Sequence, residues 1–249
     1  TEVASLRSAI DILSRFRGVP SNAWLENVIS SLEYRFGIMP NTENIVSFDQ
    51  NELLKGTEFL GELIDSAMNH QPLQVLYRTF SGNESTSIIH PYHIKQFNNR
   101  WFLIGLQEGD HGNYITNKAL DRIVKFSRAH VPFIPNKSID FSEYFKDVVG
   151  VTFPDNHPEP EEVLLQFDSA RFPYVVNKPI HPSQIVINEE EHIIKLKVRP
   201  NRELEAYIFS FGHQVEVLQP LWLRMQIAEK IEDLHKKYSK MQEDCTMDL

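Results

Sequence analysis

A single cysteine in 249 residues, Cys245 near the C-terminus, leaves neither a disulfide framework nor a thiolate cluster for a metal. Nothing therefore requires an oxidising compartment, and the cytoplasm is the expected location. Apolar runs of the roughly 20 residues needed to cross a bilayer are absent, and no basic segment followed by an apolar one opens the chain. No membrane span is expected. Glycine (10) and proline (14) are too sparse for a fibrous repeat, and 41% hydrophobic residues are too many for wholesale disorder. Also missing are G-x-x-x-x-G-K-[ST], a G-x-G-x-x-G after a strand, H-E-x-x-H and G-x-S-x-G, the short signatures of phosphate, dinucleotide, zinc and acyl chemistry. His90 and His93 lie three apart on an expected strand, where they face opposite sides and cannot share a metal. Glu189, Glu190 and Glu191 fall in an expected hairpin turn, where solvated charge is the ordinary explanation. With no acid and base pair in view, the chain reads as a non-enzyme without cofactor or metal.

Basic charge is scarce too, but unevenly so. The chain carries a net charge of -9, from 25 Lys and Arg against 34 Asp and Glu. On average that disfavours nonspecific attraction to nucleic acid. Residues 71–135 are the exception, with seven basic groups against four acidic ones. The same segment holds His90, His93, His111 and His130, and aromatic residues are interleaved with its arginines.

What remains is a clear change of hydrophobic period along the chain. Leu6, Ile10, Leu13 and Phe16 recur at helical spacing before Gly18 and Pro20. Trp24, Leu25, Val28, Ile29 and Leu32 do so again after Ser21, which completes a helical hairpin. Leu54, Phe59, Leu60, Leu63, Ile64 and Ala67 predict a further amphipathic helix over 52–69. From Gln71 the pattern alternates. Strands are expected at 73–80, 85–92, 94–97, 101–107, 114–116 and 123–130, divided by turn residues such as Ser81-Gly82-Asn83 and Asn98-Asn99. So many short strands in so few residues predict a small barrel, because closure removes the edges. A polar, acidic, proline-rich stretch with one short helix at 141–148 then reads as a linker. The rest reads strand 163–167, helix 169–176, strands 184–187 and 193–198, helix 202–211, strand 215–218. That βαββαβ order is the ferredoxin-like arrangement, followed by a helix at 221–239. The fold class is α+β, divided into a helical region 1–70, a barrel 71–135, a linker 136–161 and a C-terminal domain 162–249.

Four features of the basic segment belong together: Tyr77-Arg78, His90-Pro91-Tyr92, Arg100-Trp101-Phe102-Leu103 and Leu120-Asp121-Arg122-Ile123. In this order and at these intervals the sequence resembles bacterial WYL-domain transcriptional regulators, a family named for a Trp-Tyr-Leu triplet. Ser210-Phe211-Gly212 and Val215-Glu216-Val217-Leu218 with Pro220 extend the resemblance to the domain that usually follows. Two departures stand out. Phe102 replaces the Tyr of the triplet, and the stretch Thr116-Asn117-Lys118-Ala119 offers Lys118 where many relatives carry an Arg, a point charge in place of a fork.

The resemblance implies an Sm-like barrel of the SH3-like group that binds a nucleic acid or nucleotide-type effector and biases an attached DNA-binding domain. Tyr77, Arg78, His90, Tyr92, Arg100, Trp101, Phe102, Lys118, Asp121 and Arg122 are the expected ligand-binding residues. Arginines pair with phosphates and aromatic faces stack bases, a combination typical of single-strand binding. Trp101 shares strand parity with Leu103, which favours the core for its side chain. Relatives usually begin with a winged helix-turn-helix. Residues 1–36 lack a basic recognition helix, so that domain is expected ahead of Thr1, and duplex DNA is expected as a partner only through it. Dimerisation is expected through the hairpin of residues 4–36 and the C-terminal helix, since such regulators read two half-sites. The rival readings are a ligand-free dimerisation scaffold and a nucleic-acid-processing enzyme.

Overall fold

A computed structural model describes residues 55–246 apart from positions 155 and 158. The helical hairpin expected over 4–36 lies outside the described residues. The chain divides into two compact units at Ser138 and Ile139.

In the first unit a 3-10 turn, Thr57–Phe59, leads into helix α1, Leu60–Met68. Five strands follow: β1 Leu73–Arg78, β2 Glu84–Phe97, β3 Arg100–Gln107, β4 Tyr114–Ala119 and β5 Ile123–Arg128. They form one antiparallel sheet in the order β4-β3-β2-β1-β5. Alternation in β1 sends Leu73, Val75 and Tyr77 inward and Gln74 and Arg78 outward. The inward set meets Leu60 and Leu63 of α1 with Ile89, Leu103, Leu120 and Ile123 in one core.

The strands expected separately at 85–92 and 94–97 are a single strand. Its first half pairs with β1 and its second with β3, and the register shifts between Pro91 and His93. Proline lacks a ladder donor and is tolerated at such a bulge. Opposite it lies Gly105, where a Cβ would come within 2.3 Å of the His90 carbonyl oxygen. Only a residue without a side chain lets β3 approach so closely.

The expected closed barrel is not what forms. Among the described residues β4 and β5 are edge strands that pair with β3 and β1 but not with each other. Yet only the 3-10 turn Leu120–Arg122 joins them. Three 3-10 residues span about 6 Å, so the sheet curls until opposite edges meet at this corner. The apolar face of α1 packs into the concave side, so its core is filled without a closing ladder.

The second unit holds β6 Glu161–Phe167, α2 Phe172–Asn177, β7 Ile185–Asn188, β8 Ile193–Val198, α3 Arg202–Ser210, β9 Val215–Gln219 and α4 Leu221–Thr246. Its sheet is antiparallel throughout, in the order β7-β8-β6-β9. Val163, Leu165, Phe167, Ile194, Leu196, Val198 and Val217 face a core completed by Val175, Leu204, Ile208, Leu223 and Ile227. Asn201 caps α3 by accepting the Leu204 amide at 2.9 Å. Its side-chain amide donates to the Val149 and Thr152 carbonyls at 2.8 and 2.7 Å. The helix expected at 141–148 is instead a run of turns. Asp140 accepts from the Ser142 amide and hydroxyl, and the Asp147 carbonyl receives the Arg199 amide, so these groups serve other partners than a helix ladder.

No helix among the described residues is long and apolar enough to cross a membrane. Gly105→Ala should destabilise the first unit by about 1–3 kcal/mol through overpacking. A thermal melt followed by circular dichroism checks this, the expected outcome being a lower midpoint than wild type.

Candidate functional site

The corner where the sheet edges meet gathers most of the expected ligand-binding residues. The 3-10 turn disposes its three side chains differently: Leu120 enters the core, Asp121 turns to β3, and Arg122 turns to β1. Gly56 lies against this turn at φ 88°, where a Cβ would come within 2.2 Å of the Leu120 carbonyl oxygen.

Arg100, opening β3, donates from one guanidinium nitrogen to both Asp121 carboxylate oxygens at 2.9 and 2.8 Å. Its guanidinium also stands 5.6 Å from the Phe102 ring centroid. Arg78, at the end of β1, donates through two nitrogens to one Glu84 carboxylate oxygen at 2.8 and 2.6 Å. That pair is exposed, so solvent screens it and a competing anion can replace Glu84 at little expense.

Lys118 and Arg122 are different. The Lys118 ammonium lies 4.7 Å and the Arg122 guanidinium 4.8 Å from the centroid of the same Tyr77 ring. The Nε of Arg122 donates to the Arg78 carbonyl at 3.0 Å. Neither cation forms an ion pair with a carboxylate among the described residues. Burial and then the neighbouring Arg122 charge push the Lys118 ammonium below its ordinary value. Burial raises the Tyr77 hydroxyl against the opposing pull of Arg122.

Arg122 has a second aromatic neighbour that the sequence reading missed. Phe80, in the turn after β1, lies 3.8 Å from the guanidinium by ring centroid and is 84% exposed. The only signal in sequence is an aromatic side chain in a turn otherwise made of Thr79, Ser81, Gly82 and Asn83.

The other expected members lie apart. Trp101 packs against the core beside Leu103, as its strand parity suggests. His90 is fully buried. Its Nδ1 accepts the Ile134 amide at 3.1 Å, which puts the ring proton on Nε2, 2.9 Å from Glu108 Oε1. The Tyr92 hydroxyl donates to the Ile134 carbonyl at 2.8 Å, and Phe133 packs edge-on against both rings. His90 and Tyr92 therefore anchor the segment after β5 and do not face the cationic corner. Among the described residues no group of three or more His, Cys, Asp or Glu is placed to hold a metal ion.

The WYL domain profile matches residues 58–126, the sheet that carries this corner, and the WCX domain profile matches residues 159–234, the second sheet with its helices. The chain is a WYL-domain protein with a WCX domain behind it. No curated protein matches it. Among solved structures, a CRISPR Cas-related protein is similar over 75% of this chain and 52% of its own, at 10% identity and a TM-score of 0.46. Proteasome accessory factor B/C of Arthrobacter aurescens is similar over 92% of this chain and 35% of its own, at 14% identity and a TM-score of 0.31. The WYL chain described here thus spans about half and about a third of the length of these two proteins.

A desolvated ammonium destabilises the fold while it is charged. The folded value of Lys118 lies below the ordinary 10.5. The penalty is therefore full below that folded value and gone once pH exceeds 10.5, where folded and unfolded chains are both neutral. Lys118→Met should raise the thermal midpoint at pH 7, with the gain shrinking as pH approaches 10.5. Melts across that range test it; a gain that does not change with pH would contradict the assignment of the penalty to charge.

Proposed function

We propose that this protein is the effector-sensing and oligomerising part of a bacterial transcriptional regulator, and that its WYL domain binds a nucleic-acid or nucleotide-type anion. One observation carries the reading. Two cations, Lys118 and Arg122, converge on one tyrosine ring, and among the described residues neither forms an ion pair with a carboxylate. Like charges held together at a partly buried corner are stabilised by an anion, and phosphate accepts from both. Arg78 and Arg100, held by Glu84 and Asp121, flank the corner. Short connection and curled edges support an Sm-like sheet in the first unit. The order β7-β8-β6-β9 with α2 and α3 as crossovers supports a ferredoxin-like second unit. We read the work of this corner as binding rather than catalysis.

Binding of a short oligothymidylate should weaken as salt rises, because neutralised phosphates release counterions. Removing both charges in Lys118→Met/Arg122→Gln should lower the slope of log K against log salt by about 1.4, at roughly 0.7 per contact for a single strand. Fluorescence anisotropy over a salt series measures it. An unchanged slope would move the phosphate contacts elsewhere, and no binding at all would favour a ligand-free scaffold.

A homodimer is part of the same proposal. On α4, Ile231, Leu234 and Tyr238 are exposed at helical spacing, an apolar stripe suited to a second copy. Light scattering at micromolar concentration should give twice the 29.0 kDa of one chain. Ile231→Glu with Leu234→Glu should return it to a monomer.

A further inference from the structure

We infer that Phe80 is the base-stacking platform of the cationic corner, so that its ligand is a strand with an unstacked base and not a bare phosphate or a closed duplex. The inference rests on the anion-binding reading of Lys118 and Arg122 and adds what lies next to the anion.

The geometry is a layered one. Arg122 lies near the Tyr77 ring at 4.8 Å and near the Phe80 ring at 3.8 Å, so one guanidinium serves two aromatic faces. A planar cation this close to a ring is a stacking contact in which the ring quadrupole meets the charge. The inner ring, Tyr77, is buried in the core and fixed by it. The outer ring is 84% exposed although its guanidinium neighbour is close, so most of its surface faces solvent. Exposed large aromatics with one side already organised are the form that stacking platforms take on single-strand binding surfaces.

The turn that carries Phe80 is held in shape without using the ring. The Thr79 amide donates to the Asn83 carbonyl at 2.8 Å and the Gly82 amide to the Thr79 carbonyl at 3.0 Å. The Thr79 hydroxyl lies 2.8 Å from that of Ser81. A structural role for Phe80 would bury it, and it is not buried. Its position instead sets an apolar face beside Arg122, whose other aromatic neighbour, Tyr77, carries Lys118, and base beside phosphate is the matching pair that a nucleotide unit presents. Inside duplex DNA both base faces are already stacked, so an open strand offers free faces along its length where a duplex has them only at its ends.

The test uses the whole 249-residue chain and three probes: a short oligothymidylate, an abasic strand of equal length, and a blunt duplex of equal length. Wild type should bind oligothymidylate more tightly than the abasic strand, and the duplex more weakly than the oligothymidylate. Phe80→Ala should lose about five- to a hundredfold on oligothymidylate and bind the abasic strand as wild type does, while Phe80→Trp should keep or improve oligothymidylate binding. Because the ring is exposed, the Ala variant should keep the wild-type melting midpoint. Oligothymidylate binding unchanged by Phe80→Ala, but lost with Lys118→Met/Arg122→Gln, overturns the platform and leaves the anion site standing. Equal losses on the thymidylate and abasic strands also overturn it, since Phe80 would then act through Arg122. Failure of wild type to bind any strand overturns both readings.

Discussion

Three residues hold the first unit's geometry together. Leu120–Arg122 must carry the chain from the β4 edge of the sheet to the β5 edge within one 3-10 turn. That constraint forces the curl of the sheet and leaves the long β2 to bend at its bulge so that it serves β1 with one half and β3 with the other. The turn also sorts three side chains among three environments. Leu120 ties it to the core, Asp121 ties it to β3 through Arg100, and Arg122 is left to reach across to Tyr77 and Phe80. Gly56, whose backbone abuts the Leu120 carbonyl, lets the chain before α1 close down on the same corner. Site and fold are thus one feature here: a corner that must be made anyway is made from residues that can hold an anion.

Charge explains why the corner stands out on an acidic chain. With a net charge of -9, most of the surface repels polyanions. The repulsion acts over about a Debye length, roughly 8 Å at physiological salt, so a small cationic patch works only for ligands that reach into it. Arg78 and Arg100 keep carboxylate partners and contribute little net field of their own. Lys118 and Arg122 supply it. On the proposed reading, a small cationic corner on a chain that is acidic overall favours a short, locally exposed strand end or nucleotide over a long duplex laid across the protein.

Much of this was legible in the sequence, and the parts that were not share a cause. Period alone located the strands of both sheets and the change at Gln71, because alternation in segments such as Leu73, Val75 and Tyr77 follows directly from burial of one face. Parity also put Trp101 with Leu103. What period cannot show is whether a sheet closes, since that depends on whether two edges pair, and here α1 fills the concave face where further pairing was expected. Nor can it tell a polar residue at a site from one that fastens the chain. His90 and Tyr92 sit in the right motif, yet their partners, the amide and carbonyl of Ile134, lie 44 and 42 residues away. Part of the reason that 141–148 forms turns and not a helix is likewise remote: the Asp147 carbonyl is taken by the Arg199 amide. Phe80 escaped because alternation counted it as the end of a strand over 73–80, whereas β1 stops at Arg78 and leaves Phe80 in the turn.

Lys118 ties the physical and functional arguments together. An arginine at this position would offer a planar fork that grips phosphate in a fixed orientation. A lysine offers only a point charge on a flexible stem, and burial beside Arg122 makes that charge unfavourable in the free protein. A group that weakens the fold and orients nothing by itself is useful if something else orients the ligand. The rigid element at this corner is aromatic: Tyr77 fixed in the core, Arg122 layered on it, and Phe80 beyond. On the proposed reading orientation then comes from stacking, and Lys118 supplies attraction without dictating angle. A corner built this way tolerates variation in where the phosphate sits but not in whether a flat face accompanies it, which is the reverse of the selectivity that a pair of arginine forks would impose.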